Sequence, residues 1–267
     1  MLNRPILFLD SGIGGIPYCR HFLSRNPGES VVYLADRLHF PYGRRTKDEI
    51  AAIVSGLMET LIQTVNPKIA VIACNTATIA ALDKLRARYP QLPFVGTVPA
   101  VKPAALKSKT GKIGVLGTEL TVNQPYIREL AAQFGGPEIF GIAAPELVEF
   151  VESRLLSASA EEKRAMARGY IDRFRAAGVD ALVLGCTHFL FLLEEFRLES
   201  SPDIAMHDSI EGISRRIESL IKASAEQPPA ENAAPNRLVL TGGDAPEASW
   251  TGWAERLGFS LSLLGER

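Results

Sequence analysis

The sequence predicts an α/β protein built from two similar doubly wound domains with mostly parallel sheets, related by pseudo-symmetry. Short apolar runs that end in small or polar residues alternate with longer amphipathic stretches, the pattern of strands joined by crossover helices. The two halves keep one rhythm. Asp10 and Thr118 mark corresponding strand ends, Cys74 follows the first by 64 residues and Cys186 follows the second by 68, and a further short strand ends 22 residues later at Gly96 and 21 later at His207. The chain has 267 residues, 46% hydrophobic and 22% charged, which suits two ordinary cores of about 150 residues or one large one and excludes disorder, collagen-like repetition and coiled coil.

Strands are predicted at 6–10, 31–35, 69–73, 94–96, 113–117, 138–142, 181–185, 204–207 and 238–241, each an apolar run bounded by turn residues. Helices are predicted at 15–25, 47–64, 77–88, 122–134, 145–155, 161–177, 190–196 and 209–222, where apolar residues recur at helical spacing. The first domain is expected to take 1–97 plus 208–267 and the second 98–207. The stretch from about 223 to 236 is too polar and proline-rich to pack and reads as a surface linker. In a doubly wound sheet, ligands bind at the carboxyl ends of the strands. Two such rims facing each other form a cleft, and the active site is expected in it.

Twenty-nine basic against thirty acidic residues leave a net charge of −1, without the basic excess that phosphate-backbone binding needs, so no nucleic-acid partner is expected. The apolar segment Ile6-Leu7-Phe8-Leu9 is far too brief for a signal or a membrane span, and a cytoplasmic protein with no membrane partner is expected. Three cysteines, none in a C-x-x-C pair, argue against a disulfide scaffold and a cysteine-rich zinc site.

Asp10-Ser11-Gly12-Ile13-Gly14-Gly15 follows the first strand and opens a helix. Its third glycine would fall at Pro17, and the Asp10 carboxylate would repel a pyrophosphate, so it is no dinucleotide fingerprint. An acid beside a hydroxyl and exposed amides suits a zwitterion; the plainer reading is a tight turn. Cys74-Asn75-Thr76 and Cys186-Thr187-His188 each begin a strand-to-helix turn, where helix N-terminal amides lower a thiol pKa. A single cysteine is more often a small buried hydrophobe, and that is the reading for Cys19, but two in equivalent places of a duplicated fold point to chemistry. His188 can tune the thiol, bind a carboxylate or donate a proton. His21, His39 and His207 form no metal constellation and read as structural, so no metal is expected. Phe40-Pro41-Tyr42-Gly43 reads either as a rigid loop whose Tyr42 and Gly43 contact a small ligand or as a surface turn. Thr118 and Thr121 read as a helix cap first and as anion contacts second.

Together, Leu9-Asp10-Ser11-Gly12 with Gly14-Gly15, Phe40-Pro41-Tyr42-Gly43, Ala73-Cys74-Asn75-Thr76-Ala77, Gly96-Thr97-Val98-Pro99-Ala100 and Gly185-Cys186-Thr187-His188-Phe189 resemble the glutamate racemases of the aspartate/glutamate racemase superfamily, over residues 6 to about 222. The resemblance implies cofactor-independent interconversion of L- and D-glutamate that supplies D-glutamate for peptidoglycan, with Cys74 acting on the D and Cys186 on the L enantiomer. It implies that Asp10, Ser11, Tyr42, Gly43, Asn75, Thr76, Thr187 and His188 contact substrate, and that Asp36 and Glu152 support the catalytic groups. Leu190, where a proline commonly follows, and Ile210, where Asp-Ser-Gly is usual, depart from the family pattern. Homodimers are common in that family. Some proteobacterial relatives require UDP-N-acetylmuramoyl-L-alanine as activator, and the Phe40-Pro41-Tyr42-Gly43 variant points toward that group. The readings set against this one are a racemase for aspartate or another amino acid, a thiol redox enzyme, and an amino-acid binding protein without turnover.

Overall fold

The computed structural model describes residues 4–224 and 234–264; the expected linker falls largely on residues outside these. The chain divides into two compact units, Met1–Thr97 with Ile210–Arg267, and Val98–Ser209.

The first unit opens as β1 (Ile6–Asp10), α1 (Ile16–Arg25), β2 (Val31–Ala35), α2 (Lys47–Val65), β3 (Ile69–Ile72), α3 (Asn75–Arg88) and β4 (Phe94–Gly96). The second unit follows as α4 (Val101–Lys107), β5 (Lys112–Gly117), α5 (Glu119–Val122), α6 (Pro125–Ala132), β6 (Glu138–Ala143), α7 (Pro145–Arg154), α8 (Ala160–Ala176), β7 (Ala181–Leu184), α9 (Leu193–Ser200) and β8 (Ala205–His207). The chain then returns to the first unit with α10 (Ile210–Ala223), β9 (Arg237–Leu240), α11 (Ala248–Leu257) and β10 (Ser260–Leu263).

Both sheets are parallel. The first runs β10-β9-β2-β1-β3-β4 and the second β6-β5-β7-β8. Within each, the first strand of the unit lies between its second and third, with the fourth outside the third, so β1, β2, β3 and β4 correspond to β5, β6, β7 and β8. The duplicated rhythm of the sequence is therefore a duplicated strand order, with β9 and β10 added to one edge of the first sheet.

Central strands β1, β2 and β3 are buried at every residue, as parallel strands covered on both faces must be, and this is why they read as continuous apolar runs. α2 packs on α3 and α1 on α10; in the second unit α8 packs on α9 and α4 on α6. α2 and α8 start with capping boxes, Thr46 with Glu49 and Ser159 with Glu162. Among the described residues no helix is long and apolar enough to cross a membrane.

Some expected elements differ. The helix expected at 122–134 is two, α5 and α6, because Pro125 takes the first turn of a new helix that an Asn123-Gln124 break precedes. The segment expected to open a helix at 190 is a 3-10 turn over Thr187–Leu192, followed by α9. α4, α11 and β10 were not expected from the sequence: α4 is short and carries Pro103, and β10 alternates Ser and Leu with no buried run.

Candidate active site

In the first unit, functional side chains stand where the strands end. Hydrogen bonds continue the ladder one residue past each strand: Asp36 N to Asp10 O at 2.9 Å, Ala73 N to Leu9 O at 2.7 Å, Thr97 N to Ile72 O at 3.2 Å and Thr241 N to Ala35 O at 3.2 Å. Asp10, Asp36, Cys74, Thr97 and Thr241 therefore share the carboxyl rim of one sheet.

Asp10 is fully buried, and its Oδ1 accepts from Gly12 N at 2.9 Å, so the carboxylate folds the glycine loop around itself. That loop is also held from below. The Tyr33 hydroxyl, from the centre of β2, donates to Gly12 O at 2.9 Å and accepts from Gly15 N at 3.0 Å. Cys74 occupies the N-cap position of α3 in extended geometry, with Asn75 and Thr76 buried in its first turn, so its sulfur lies at the positive end of the helix dipole.

Asp36 is likewise fully buried and accepts from the Tyr42 hydroxyl at 2.6 Å and the Thr241 hydroxyl at 2.6 Å, while His39 Nδ1 lies 2.9 Å from both of its oxygens. Tyr42 sits in a 3-10 turn with Gly43. Burial first, and then the charges of Asp36, Cys74 and Asp10, hold its phenol above the ordinary value, so it is a neutral donor directed at Asp36.

In the second unit, Cys186 follows β7 at the same topological place that Cys74 holds after β3. Its sulfur is 3.8 Å from His188 Nδ1, and His188 Nε2 is 2.6 Å from Glu152 Oε1 on α7. Burial alone lowers the imidazole's pKa. The hydrogen bonds and charges of Cys186 and Glu152 oppose it and prevail, leaving His188 well above its ordinary value, so its surroundings favour the protonated ring. Thr187 is buried beside them. Thr118 caps α5, accepting from Thr121 N at 3.3 Å, and the two hydroxyls are 3.0 Å apart.

Most expected site residues lie at or just past a strand end; Tyr42 and Gly43 stand in a 3-10 turn that follows β2, and Glu152 on α7. Asp10, Ser11, Asp36, Tyr42, Gly43, Cys74, Asn75 and Thr76 are in the first unit; Thr118, Thr121, Glu152, Cys186, Thr187 and His188 are in the second. Cys19 lies inside α1, fully buried, with its thiol pushed up by burial. His39, expected to be structural, pairs with Asp36, and Thr241 and Tyr33 were not singled out from the sequence. A tyrosine inside a buried strand is a usable signal, because its hydroxyl must find a partner. His21 pairs with Glu211 at 3.0 Å, and His207 is buried at the end of β8, so neither departs from the structural reading. Among the described residues no group of three or more His, Cys, Asp or Glu stands placed to hold a metal ion.

Fold and site together define a doubly wound α/β enzyme whose titrating groups at the strand ends are thiols, carboxylates and an imidazole. Comparison with known proteins gives the particular family. The model of the Asp/Glu/Hydantoin racemase family matches residues 20–211. A glutamate racemase of Sphingopyxis alaskensis is 44% identical over 227 residues, covering 84% of each chain, and one from a Roseiflexus species is 39% identical over 82% of this chain and 80% of its own. The structure of Escherichia coli glutamate racemase in complex with L-glutamate and the activator UDP-MurNAc-ala superposes with a TM-score of 0.86 at 30% identity over 98% of both chains. The chain belongs to the Asp/Glu/Hydantoin racemase family and is an amino-acid racemase, an isomerase.

Proposed function

We propose that the protein interconverts L- and D-glutamate by two-thiol proton transfer without a cofactor, supplying D-glutamate for peptidoglycan synthesis in the cytoplasm. The observation that carries this reading is the correspondence of Cys74 and Cys186: each stands two residues past the third strand of its unit, at the head of the helix or turn that follows. The glutamate racemases to which the chain is similar support glutamate as the substrate.

The α-proton of an amino acid is a very weak acid, and inversion needs a base on one face of the carbon and an acid on the other. The thiolate of Cys74 takes the proton from D-glutamate, the C–H electron pair passes into the α-carboxylate, and the Cys186 S–H delivers a proton to the opposite face. The reverse reaction exchanges the roles. His188, cationic and held by Glu152, stabilises negative charge on the Cys186 sulfur and returns its proton. Asp36 orients the Tyr42 hydroxyl beside Cys74. Asp10 takes the substrate ammonium, and amides and hydroxyls at Ser11, Gly43, Asn75, Thr76 and Thr187 hold the carboxylates. Thr118 and Thr121 add anion contacts.

The Escherichia coli relative was captured with L-glutamate and UDP-MurNAc-ala, and we infer that this chain responds to the same activator, which titration calorimetry and rates measured with and without it would read. Assembly as a homodimer is expected from the family and is read by sedimentation velocity.

The central test is L-glutamate in heavy water. Wild type should exchange the α-proton for deuterium while racemising, and Cys74→Ser and Cys186→Ser should each lose racemisation. Retained racemisation in both variants would refute the two-thiol account. A binding protein would show no exchange, a redox enzyme would show thiol oxidation instead, and aspartate offered separately reads substrate choice.

A further inference from the structure

We infer that Thr241, contributed by the chain's late return to the first sheet, is a positioning residue for the Cys74 half of the reaction: its hydroxyl fixes the Asp36 carboxylate that orients Tyr42. The inference rests on the reading of Asp36 as a support for Cys74. The Thr241 hydroxyl bonds Asp36 and Leu38, and nothing in its local sequence marks it as part of a site.

The geometry leaves its hydroxyl no freedom. Oγ1 donates to Asp36 Oδ1 at 2.6 Å and accepts from Leu38 N at 3.0 Å, so both the hydrogen and a lone pair are committed. The backbone is pinned on both sides: Thr241 N donates to Ala35 O at 3.2 Å, and Thr241 O accepts from Arg37 Nε at 2.9 Å. The same guanidinium donates to the carbonyls of Asp244 and Ala245, and Gly242 turns the chain at a φ of 96°, a conformation that favours glycine. Arg37 thus clamps the loop after β9 against the loop after β2.

Asp36 receives its two shortest hydrogen bonds on opposite oxygens, Thr241 on Oδ1 and Tyr42 on Oδ2. Two donors pulling on opposite oxygens fix the plane of a carboxylate. With the Thr241 hydroxyl gone, Oδ1 keeps, among the described residues, His39, whose side chain is 30% exposed, and the carboxylate gains a rotation that Tyr42 must follow. The 3-10 turn that holds Tyr42 packs on α3, the helix that Cys74 caps, and the phenol feels the charges of Cys74 and Asp10, so the disturbance is expected at Cys74 and not at Cys186.

The test uses Thr241→Val, which keeps the shape and removes the hydroxyl, beside Thr241→Ser, which keeps the hydroxyl. Thr241→Val should lower kcat about ten-fold with KM within about two-fold, as loss of a hydrogen bond to a charged group allows, and Thr241→Ser should restore most of it. The primary isotope effect with α-deuterated substrate should rise for D-glutamate and fall for L-glutamate, because only the transfer at Cys74 has become slower; a general loss of structure would not separate the two enantiomers. In an Asp36→Asn background the valine substitution should cost little more. If Thr241→Val does not fold, Thr241→Ala, whose smaller side chain admits a bridging water, carries the same comparison with a loss of about three-fold. Wild-type kcat in the folded valine or alanine variant, or isotope effects that change alike for both enantiomers, overturns the inference while leaving Asp36 its role. If Asp36→Asn itself keeps wild-type kcat, the reading of Asp36 fails and this inference fails with it.

Discussion

The imidazole of His188 lies between a sulfur and a carboxylate, with Nδ1 3.8 Å from Cys186 Sγ and, across the ring, Nε2 2.6 Å from Glu152 Oε1. A buried cation normally costs too much to keep, and burial does lower this one's pKa. Its two neighbours reverse the balance and favour the protonated ring, beside a sulfur whose thiolate form would need a counter-charge. In the first unit the corresponding thiol has no histidine two residues on; it has Asn75 and Thr76 there, with Tyr42 and two buried carboxylates nearby. The two halves share a strand order but not an electrostatic solution.

Glu152→Gln should therefore move His188 and not merely slow the enzyme. Because the folded pKa is raised above the unfolded value of about 6.5, the group's contribution to stability is full below that pH and is lost as pH rises through the folded value. Removing the Glu152 charge leaves burial less opposed, so the His188 midpoint, read by nitrogen NMR, should fall, and the decline of unfolding free energy above pH 6.5 should flatten. Turnover should drop about ten-fold, since a group that orients a catalytic imidazole typically matters at this scale. An unchanged midpoint would sink the assignment.

Cys19 gives the opposite expectation. It is fully buried in α1 and its thiol is pushed up, so at neutral pH it is neither nucleophile nor base. Cys19→Ala should cost about 1 kcal/mol in unfolding free energy and leave kcat within about two-fold. Peptide mapping after brief alkylation of the native protein should find Cys19 unmodified until denaturant is added; rapid native labelling would contradict this.

The strands that carry the site were legible because parallel strands buried on both faces must be apolar throughout, and each gives way to a carboxylate or to a small residue and a cysteine at a strand-to-helix turn. Asp10, Asp36, Cys74 and Cys186 follow such runs, so their rim positions could be read from the order of residues alone. The loop holding Tyr42 was legible only as a rigid turn with two alternative roles, Glu152 was marked only by the family resemblance, and its contact with His188, 36 residues away in sequence, was not anticipated. Thr241 was not legible, since its contact with Asp36 depends on β9 pairing with β2 across some 200 residues, and no local pattern records a partner at that separation; His39 meets Asp36 only three residues away, but its ring position depends on the irregular turn between β2 and α2, which has no periodicity to read.

Gly15 shows how closely the Asp10 loop must approach the strand that bears Cys74. A Cβ there would stand 2.7 Å from Ala73 Cβ and 3.0 Å from the Tyr33 hydroxyl, and Ala73 Cβ is rooted in the backbone one residue before the thiol. Gly15→Ala should destabilise the protein by about 1–3 kcal/mol and also lower kcat, because relief of the clash shifts either the glycine loop or the turn holding Cys74. Urea midpoints and initial rates read both; a variant with wild-type stability would mean that the loop is more pliant than its two Tyr33 bonds suggest.

At the opposite end of the same sheet, Lys68 Nζ lies 2.6 Å from Glu29 Oε2, with the side chains 4% and 3% exposed. Lys68 N donates to Pro5 O at 3.0 Å and Ile6 N to Ser30 O at 2.9 Å, which places the pair where the strands begin, away from the thiol rim. A buried ion pair has little net worth against an apolar replacement, yet breaking one partner leaves a desolvated charge. Lys68→Met should accordingly cost about 3–5 kcal/mol of unfolding free energy, while Glu29→Met with Lys68→Met should recover most of that loss. Because the pair lies at the strand starts, kcat measured well below the melting temperature should stay within about two-fold of wild type in both. Equal destabilisation by the single and the double substitution would mean that the two side chains are held by their other surroundings and not by each other.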